Sequence, residues 1–448
     1  MSYAAAIEGL YALAGELHAA PGQPRRKFEL GEMRILAEAL GHPERRFPSV
    51  LVAGTNGKGS TSATLASILR SAGYRVGLYT SPHLSRVNER IQIDGSQISD
   101  DTFAALYFRV DDAARRLVAD GKLAGHPSFF EAMTALAFCA FADAAVDIAV
   151  LEVGMGGRLD ATNIVEPLIS VITDISLDHT EWLGSTITEI AREKSGILRQ
   201  DGVLVTLPQH PEANQAIGEA AVALNVRGVS AAEYIPALDA VDAGGAYAVE
   251  ILGERIEAAS PLPGAHQHRN IANAIAAAIE LRNHHGYKIS ATHIEEGIRN
   301  TRWPGRLERF SGSERADVLL DVAHNPAGAW ALRSALSHLD PAPKGMTAVF
   351  GCLRDKAIPE MAQILFPLFD KVILTEVNSP RAASLAEMRT AAESTGVSIE
   401  TAENPQVALE QARATTATGG LVVVTGSVYL IGAVRERLAA PESGHEGA

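Results

Sequence analysis

Cysteine and aromatic residues are scarce in this chain, and both shortages narrow what the protein can be. Of its 448 residues, 2 are cysteine and 5% are aromatic. Cys139 and Cys352 lie far apart and form no Cys-x-x-Cys pair, so neither a zinc site nor a disulfide framework is indicated. Small aliphatic residues carry most of the 47% hydrophobic content, which suits the layers of an α/β protein.

Excess positive charge and long hydrophobic runs are also missing. The formal net charge of −14 argues against a broad nucleic-acid surface, so an anionic substrate would need a local basic pocket. The most apolar stretch, residues 133–151, is interrupted by Asp143 and Asp147 and is too polar to span a membrane. The first residues lack the basic start of a secretory signal. We therefore expect a cytoplasmic monomer that binds small molecules and neither nucleic acid nor membranes.

A glycine-rich loop with a lysine follows the first apolar run, and it reads Gly54-Thr55-Asn56-Gly57-Lys58-Gly59-Ser60. The glycines allow a tight turn whose N–H groups point at an anion, and the next helix presents its N-terminus to phosphates. Val52 and Gly59 stand where the strict phosphate-loop pattern has Gly and Ser or Thr. We therefore predict a nucleoside triphosphate site at residues 54–60, with a magnesium ligand from Ser60, Thr61 or elsewhere.

Short apolar runs alternate with helical patterns through the first half of the chain. The runs cover residues 50–53, 75–79, 148–151 and 170–173, and each ends in polar residues. The helical patterns cover residues 61–72, 100–119, 128–142 and 186–197. This alternation predicts an α/β fold of the P-loop NTPase type, with a mostly parallel sheet and helices on both faces. Ligands of such sheets bind beyond the carboxyl ends of the strands, where these polar residues fall.

The strand–helix alternation weakens after residue 226 and restarts in the last third of the chain. The segment 301–306, Thr-Arg-Trp-Pro-Gly-Arg, is the best hinge candidate between the two parts. We predict a first domain over 1–300 and a hinge over 301–308. A smaller, Rossmann-like α/β domain over 309–440 and a disordered tail over 441–448 would follow.

Two further strand ends carry residues that suit a metal site. Glu152 follows the run 148–151 and opens a glycine-rich segment that also contains Arg158 and Asp160. A carboxylate at a strand end beside a phosphate loop is where a magnesium ligand belongs. His179 follows the run 170–173 and can supply a further ligand through a ring nitrogen. Lys194, considered alone, is typical of a solvated helix residue.

The motifs of this chain occur in an order that resembles a known family. They are GTNGKGS, SPHL with ERI, EVGMGGRLDATN, DHT with LG and EKSGI, then PGR and DVAHNP. The set resembles the folylpolyglutamate synthase and bifunctional dihydrofolate synthase family of the Mur ligase superfamily, from about Phe28 to Ser427. The ordered set is far more specific than any one motif. It implies an ATP-dependent ligase that adds L-glutamate to tetrahydrofolate, and to dihydropteroate to give dihydrofolate, through an acyl phosphate.

The resemblance also implies that an N-terminal segment of the domain 1–300 binds the pterin substrate, and it implies a role for each matching residue. Besides residues 54–60, the residues that would bind ATP are Asn270, Arg306 and Asp321. The residues that would hold two magnesium ions are Ser81, Glu152 and His179, and a monovalent cation is a further candidate cofactor. The catalytic residues would be Lys58, His179 and Lys194, the last carbamylated by carbon dioxide. The substrate-binding residues would be Arg158, Leu159, Asp160 and Ala161 for the pterin acid, and His324 and Ser427 for glutamate.

Simpler interpretations of several of these residues stay open. Asn270 could cap the helix that follows it, Arg306 could pack in the hinge, and Ser427 could cap the helix that begins at Val428. The family commonly has Asp-Lys-Asp where this chain has Asp355-Lys356-Ala357. Because one acid of that loop is replaced, we leave the loop out of the candidate site.

Two other functions also stay open. A Mur-type ligase of peptidoglycan precursors is disfavoured, because the loops at 81–84 and 156–160 match the folate branch of the superfamily. A nucleotide-dependent switch would hydrolyse ATP without any need for glutamate. For the ligase, an acyl phosphate hydrolyses if water reaches it, so we expect the second domain to close over the site.

Overall fold

The computed structural model describes residues 2–13, 30–237, 240–242, 244–312 and 315–439. Phe28, where the family resemblance begins, and the predicted tail at 441–448 lie outside these residues. The helices are α1 (Tyr3–Ala12), α2 (Leu30–Ala39), α3 (Lys58–Ser71), α4 (Asp100–Ala119), α5 (Phe129–Asp143), α6 (Thr180–Leu183), α7 (Ile187–Ser195), α8 (Pro211–Ala223), α9 (His266–His285), α10 (Ala291–Arg299), α11 (Pro326–Ser337), α12 (Ile358–Leu365), α13 (Leu385–Ala392), α14 (Pro405–Thr415) and α15 (Val428–Ala439). In this described part, no helix combines the length and the apolar character that crossing a membrane requires.

The strands form two large sheets and one hairpin. They are β1 (Ser49–Ala53), β2 (Val76–Tyr79), β3 (Ile91–Ile93), β4 (Ser96–Gln97), β5 (Ile148–Glu152), β6 (Ile169–Ile172), β7 (Val203–Thr206), β8 (Arg227–Ser230), β9 (Tyr247–Ile251), β10 (Glu254–Ala258), β11 (Glu308–Phe310), β12 (Asp317–Asp321), β13 (Met346–Phe350), β14 (Lys371–Thr375), β15 (Ser398–Ala402) and β16 (Leu421–Thr425). The hairpin joins β9 and β10 in antiparallel pairing.

The first sheet has the strand order β4-β3-β2-β5-β1-β6-β7-β8. Only the β2–β3 and β3–β4 pairs are antiparallel among its described strands. Leu51 and Ala53 of β1 pack into a core with α4 and α5, whereas Val50 and Val52 pack into a second core with α3 and α9. Successive side chains of a strand point to opposite faces, so a strand covered on both faces must be apolar throughout. The predicted sheet with helices on both faces is confirmed.

The second sheet has the order β11-β12-β16-β13-β14-β15 and is parallel except for the pair β11–β12. Val423 of β16 packs with α11, α12 and α13, whereas Val422 and Val424 pack with α14 and α15 on the other face. This sheet confirms the predicted smaller α/β part at the C-terminal end. Residues 300–307 join α10 to β11. The boundaries of the two domains and of the hinge stay predictions.

Candidate active site

The glycine-rich loop connects β1 to α3 and is tied to the end of β6. The backbone amides of Thr55 and Asn56 both donate to the carbonyl of Asp174, at 2.8 and 3.2 Å. Gly57 caps α3 with a φ of +88°, and an added Cβ would lie 2.1 Å from Oδ1 of Asn270. Only glycine satisfies both conditions without strain. The first N–H groups of α3, which have no acceptors within the helix, therefore face an open turn that suits a phosphate.

The structure gives a steric reason for Gly59, which departs from the strict phosphate-loop pattern. A Cβ at this position would lie 2.6 Å from the indole ring of Trp303. Because that ring occupies the space beside the loop, a serine or threonine at residue 59 would require Trp303 to move. A hydroxyl ligand for a cation must therefore come from another residue.

Two lysine side chains meet at the carbonyl oxygen of Gly54. Nζ of Lys58 donates to this oxygen at 3.1 Å and to the carbonyl of Thr55 at 3.2 Å. Nζ of Lys194, from α7, donates to the same Gly54 oxygen at 2.7 Å. Burial, together with the nearby charge of Lys58, lowers the pKa of Lys194 to about 7. A large fraction of Lys194 is therefore a neutral amine near neutral pH.

Glu152 ends β5 as a buried carboxylate, 4% exposed. The backbone amide of Ser81, after the neighbouring strand β2, donates to its Oε2 at 3.1 Å. Burial raises the pKa of Glu152, and the charges of Lys58 and Arg306 only partly oppose this. In the described part of the chain, no lysine or arginine lies within ion-pair distance of Glu152. A buried carboxylate beside a serine, without a cationic partner, fits the oxygen ligands that Mg²⁺ prefers.

His179 precedes α6 with a φ of +51°, and its side chain is half-buried. Burial lowers the pKa of this imidazole to about 4, and the charges of Lys356 and Lys58 act in the same direction. The ring is therefore neutral at physiological pH, which is the form that binds metal ions. Among the described residues, no group of three or more His, Cys, Asp or Glu side chains could hold a metal. A magnesium ion here would take few protein ligands and keep water or phosphate oxygens, as Mg²⁺ commonly does.

Asp178 connects the loops of the two sheets. Nζ of Lys356 lies 2.7 Å from its Oδ1, and Nε2 of His324 lies 3.6 Å from its Oδ2. Asn325 donates to Oδ2 of Asp178 at 3.3 Å and to Oδ1 of Asn56 at 3.0 Å. Burial would raise the pKa of Asp178, but the contact with His324 and the charge of Lys356 hold it well below its usual range. The carboxylate thus stays ionised and fixes both loops.

A cavity of about 370 Å³ lies between these loops. The predicted residues that line it are Ser81, Leu159, Asp160, Ala161, His179, His324 and Ser427. Asp160 also anchors its own loop, because its carboxylate accepts the amides of Met155 and Thr162, each at 3.0 Å. Ser427 accepts the amide of Tyr429 at 3.1 Å, as the simpler cap interpretation expects. The cavity is therefore built from residues of both sheets.

Asp321 is the last residue of β12 in the second sheet, and Arg306 lies in the connection that leads to β11 of the same sheet. Asp321 is buried, and its two oxygens accept the amides of Leu307 and Ala323, at 3.0 and 2.9 Å. Burial lowers the pKa of Arg306, whereas the nearby charges of Asp321 and Glu152 oppose this shift. Arg306 therefore lies near the carboxylate at the end of β5, on the same edge as the glycine-rich loop.

Comparison with known proteins identifies the family. Residues 52–278 match the Mur ligase middle domain, and residues 305–428 match the glutamate ligase domain of Mur ligases. The chain is 37% identical over 413 residues to the dihydrofolate synthase/folylpolyglutamate synthase of Bacillus subtilis, covering 91% of this chain and 94% of that protein. This chain belongs to the folylpolyglutamate synthase/dihydrofolate synthase family of Mur ligases.

Solved structures of other members of this Mur ligase family agree with the fold. A Mycobacterium tuberculosis folylpolyglutamate synthase complexed with ADP matches with a TM-score of 0.88 at 33% identity, covering 98% of this chain and 99% of that chain. Escherichia coli FolC in complex with DHPP and ADP matches with a TM-score of 0.83 at 31% identity, covering 98% of both chains. Both likenesses extend over nearly the whole of each protein.

Seven of the predicted site residues line the cavity, whereas the glycine-rich loop, Glu152 and Lys194 do not. The side chain of Arg158 does not line the described cavity, since its Nη2 lies 2.8 Å from Oε1 of Glu193. Asp178, Lys356 and Asn325 were not predicted as site residues. Asp178 lies inside the DHT motif and Lys356 inside the Asp355-Lys356 pair, so both carried a signal in the sequence. The individual roles of the predicted residues stay predictions.

The contact of Gly57 with Asn270 can be tested against Gly73, which also has a positive φ but no heavy atom within 4 Å of an added Cβ. Gly57→Ala should weaken nucleotide binding by about tenfold or more, because the new methyl group displaces Asn270 from the loop. Gly73→Ala carries only the backbone strain, so it should lower thermal stability but not nucleotide affinity. Calorimetric titration with ATP measures the nucleotide affinity of each variant. Equal affinities in the two variants would contradict the assignment of this loop as the nucleotide site.

Proposed function

We propose that this protein is an ATP-dependent ligase that adds L-glutamate to dihydropteroate and to reduced folates. One observation carries the proposal: a glycine–lysine phosphate loop and a cavity formed by both sheets lie at the same edge, in a chain of this family. The ADP and DHPP complexes of the relatives support ATP and a pterin-bearing acid as ligands. We also propose that residues 1–300 and 309–440 form two domains joined by a hinge at 301–308.

The reaction must turn a carboxylate into a better electrophile. The acid attacks the γ-phosphate of ATP and forms an acyl phosphate, with ADP as leaving group. The amino group of glutamate then displaces inorganic phosphate and forms the amide. Lys58 offsets the negative charge that otherwise repels an anionic acid from ATP. The second domain excludes water from the acyl phosphate, and the Lys356–Asp178 ion pair holds the loops of the two sheets together.

In this proposal Ser81, Glu152 and His179 hold two magnesium ions. Bound magnesium neutralises phosphate charge and stabilises the charge that develops during phosphoryl transfer. The unpaired carboxylate of Glu152 and the neutral ring of His179 support the assignment. Asn270, Arg306 and Asp321 complete the ATP site, while Leu159, Asp160, Ala161, His324 and Ser427 bind the two other substrates. Arg158 supports the pterin loop through Glu193.

Lys194 is carbamylated in this proposal. Its neutral amine attacks carbon dioxide, a C–N bond forms, and the amine loses a proton to give a carbamate anion. The lowered pKa of Lys194 supplies the neutral nucleophile, and the cation of Lys58 on the same carbonyl oxygen stabilises the anionic product. The reaction thus replaces an uncharged amine beside Lys58 with an anion that Lys58 attracts.

The proposed ligase activity can be tested by identifying the product of the reaction. Wild-type protein with ATP, magnesium, L-glutamate and dihydropteroate should yield dihydrofolate, seen by mass spectrometry as one added glutamyl unit. Tetrahydrofolate should gain a glutamyl unit in a parallel reaction. Omission of glutamate should suppress phosphate release, because the acyl phosphate has no amine acceptor. Phosphate release at an undiminished rate without acid and glutamate would instead support a nucleotide switch.

Glu152→Gln should abolish turnover while the protein stays folded. The substitution removes the charge of the proposed magnesium ligand but keeps its shape. Because burial disfavours the ionised carboxylate and no cation pairs with it, we expect the melting temperature to be unchanged or higher. Turnover near the wild-type rate at saturating magnesium would contradict the metal assignment.

Lys194→Ala should lose most activity and regain part of it with added short carboxylic acids, which replace the carbamate. The exposed Lys122→Ala is the matched control and should retain full activity. At fixed dissolved carbon dioxide, carbamylation of wild-type protein should rise as pH increases through about 7, since only the neutral amine reacts. Mass analysis of the native protein that finds no carbamate at pH 8 would overturn the assignment.

A further inference from the structure

Arg90 differs from the other cations that line the cavity. Lys356 pairs with Asp178 at 2.7 Å, and Nη2 of Arg381 lies 2.7 Å from Oδ1 of Asp355. Arg90 has no carboxylate within ion-pair distance among the described residues. Yet it is 8% exposed, so its charge is nearly withdrawn from solvent. A buried guanidinium without a carboxylate partner is costly, because desolvation is not offset by an ion pair.

The orientation of Arg90 is fixed by neutral groups. Its Nε donates to Nδ1 of His83 at 2.9 Å, and its guanidinium carbon lies 5.1 Å from the ring centroid of Phe129. Because Nδ1 of His83 accepts this hydrogen bond, it carries no proton, and the neutral ring does not add a second charge. Nε2 of His83 is in turn 3.2 Å from Oη of Tyr11. These contacts occupy Nε and one face, and they leave the two Nη groups without a protein acceptor in the described part.

The position of Arg90 indicates which kind of ligand can accept hydrogen bonds from its two Nη groups. Arg90 lines the same cavity as Ser81, and its carbonyl accepts the amide of Thr80, next to Ser81, whose own amide donates to Glu152. It is therefore near the end of the cavity where phosphoryl transfer takes place in the proposed function. Two adjacent N–H donors in one plane match the two oxygens of a carboxylate. Phe130 and Leu159 give the cavity apolar walls that suit an aromatic body.

We propose that Arg90 binds the carboxylate of the pterin-bearing acid and presents it for phosphoryl transfer. This inference rests on the proposed function and assigns a further residue to it. His83 and Phe129 act as positioning residues, since they hold the guanidinium without binding the acid. The charge of the acid offsets the buried charge of Arg90, so the cavity distinguishes an ionised acid from a neutral analogue.

The test compares dihydropteroate with its carboxamide, which keeps the shape and lacks the charge. Calorimetric titration should show wild-type protein preferring the carboxylate by about 10- to 100-fold. Arg90→Gln should lose most of this preference, with little change in affinity for the carboxamide. Arg90→Lys, which keeps the charge without the planar fork, should show an intermediate preference. Arg86→Gln is the matched control, because Arg86 lies on the same loop, pairs with Asp100 at 2.6 Å and lies outside the cavity lining.

Equal wild-type affinities for the two compounds would overturn the proposal, as would a parallel loss of both affinities in Arg90→Gln. If Arg90→Gln does not fold, the test depends on the preference of Arg90→Lys for the carboxylate over the carboxamide. An affinity ratio equal to that of wild-type protein would then overturn the proposal. Failure of the proposed function has a different signature. In that case wild-type protein forms no glutamylated product from any pterin acid.

Discussion

Two lysine amines share one carbonyl oxygen, that of Gly54, and the chemistry of the site depends on this contact. Two full positive charges so close together would repel each other. Burial resolves the conflict, because it lowers the pKa of Lys194 to about 7 and leaves much of that amine uncharged beside Lys58. In the proposed function, Lys58 is thus available to phosphate, and the neutral amine of Lys194 is available to carbon dioxide.

The second constraint is that neither sheet forms the cavity alone. Ser81, Leu159 and His179 lie in loops that follow strands of the first sheet, whereas His324 and Ser427 follow strands β12 and β16 of the second. Asp178 holds the loops of the two sheets together, because its buried, ionised carboxylate contacts Lys356 and Asn325. A substrate in this cavity therefore touches both halves of the chain, which suits a reaction whose intermediate must be kept from water.

The features that could be predicted from the sequence are those that depend on short, local residue patterns. The strand ends at Glu152 and His179 were found because apolar runs stop there, and the phosphate loop was found from its glycines and Lys58. The partners of Arg90 and Lys356 were not found, because His83, Phe129 and Asp178 approach them only through the fold. The short strands β3 and β4 were missed as well, since segments of three and two residues carry almost no periodic signal. The ion pair of Arg158 with Glu193 likewise depends on how α7 docks.

Trp303 lies within the predicted hinge, yet its indole occupies the space beside Gly59 in the first turn of α3. Its Nε1 is buried and has no hydrogen-bond partner among the described residues. The chain has three tryptophans, and the other two, Trp182 and Trp330, are 40% and 56% exposed. The protein thus carries a built-in fluorophore at the junction of nucleotide loop and linker, whose emission reports on both at once.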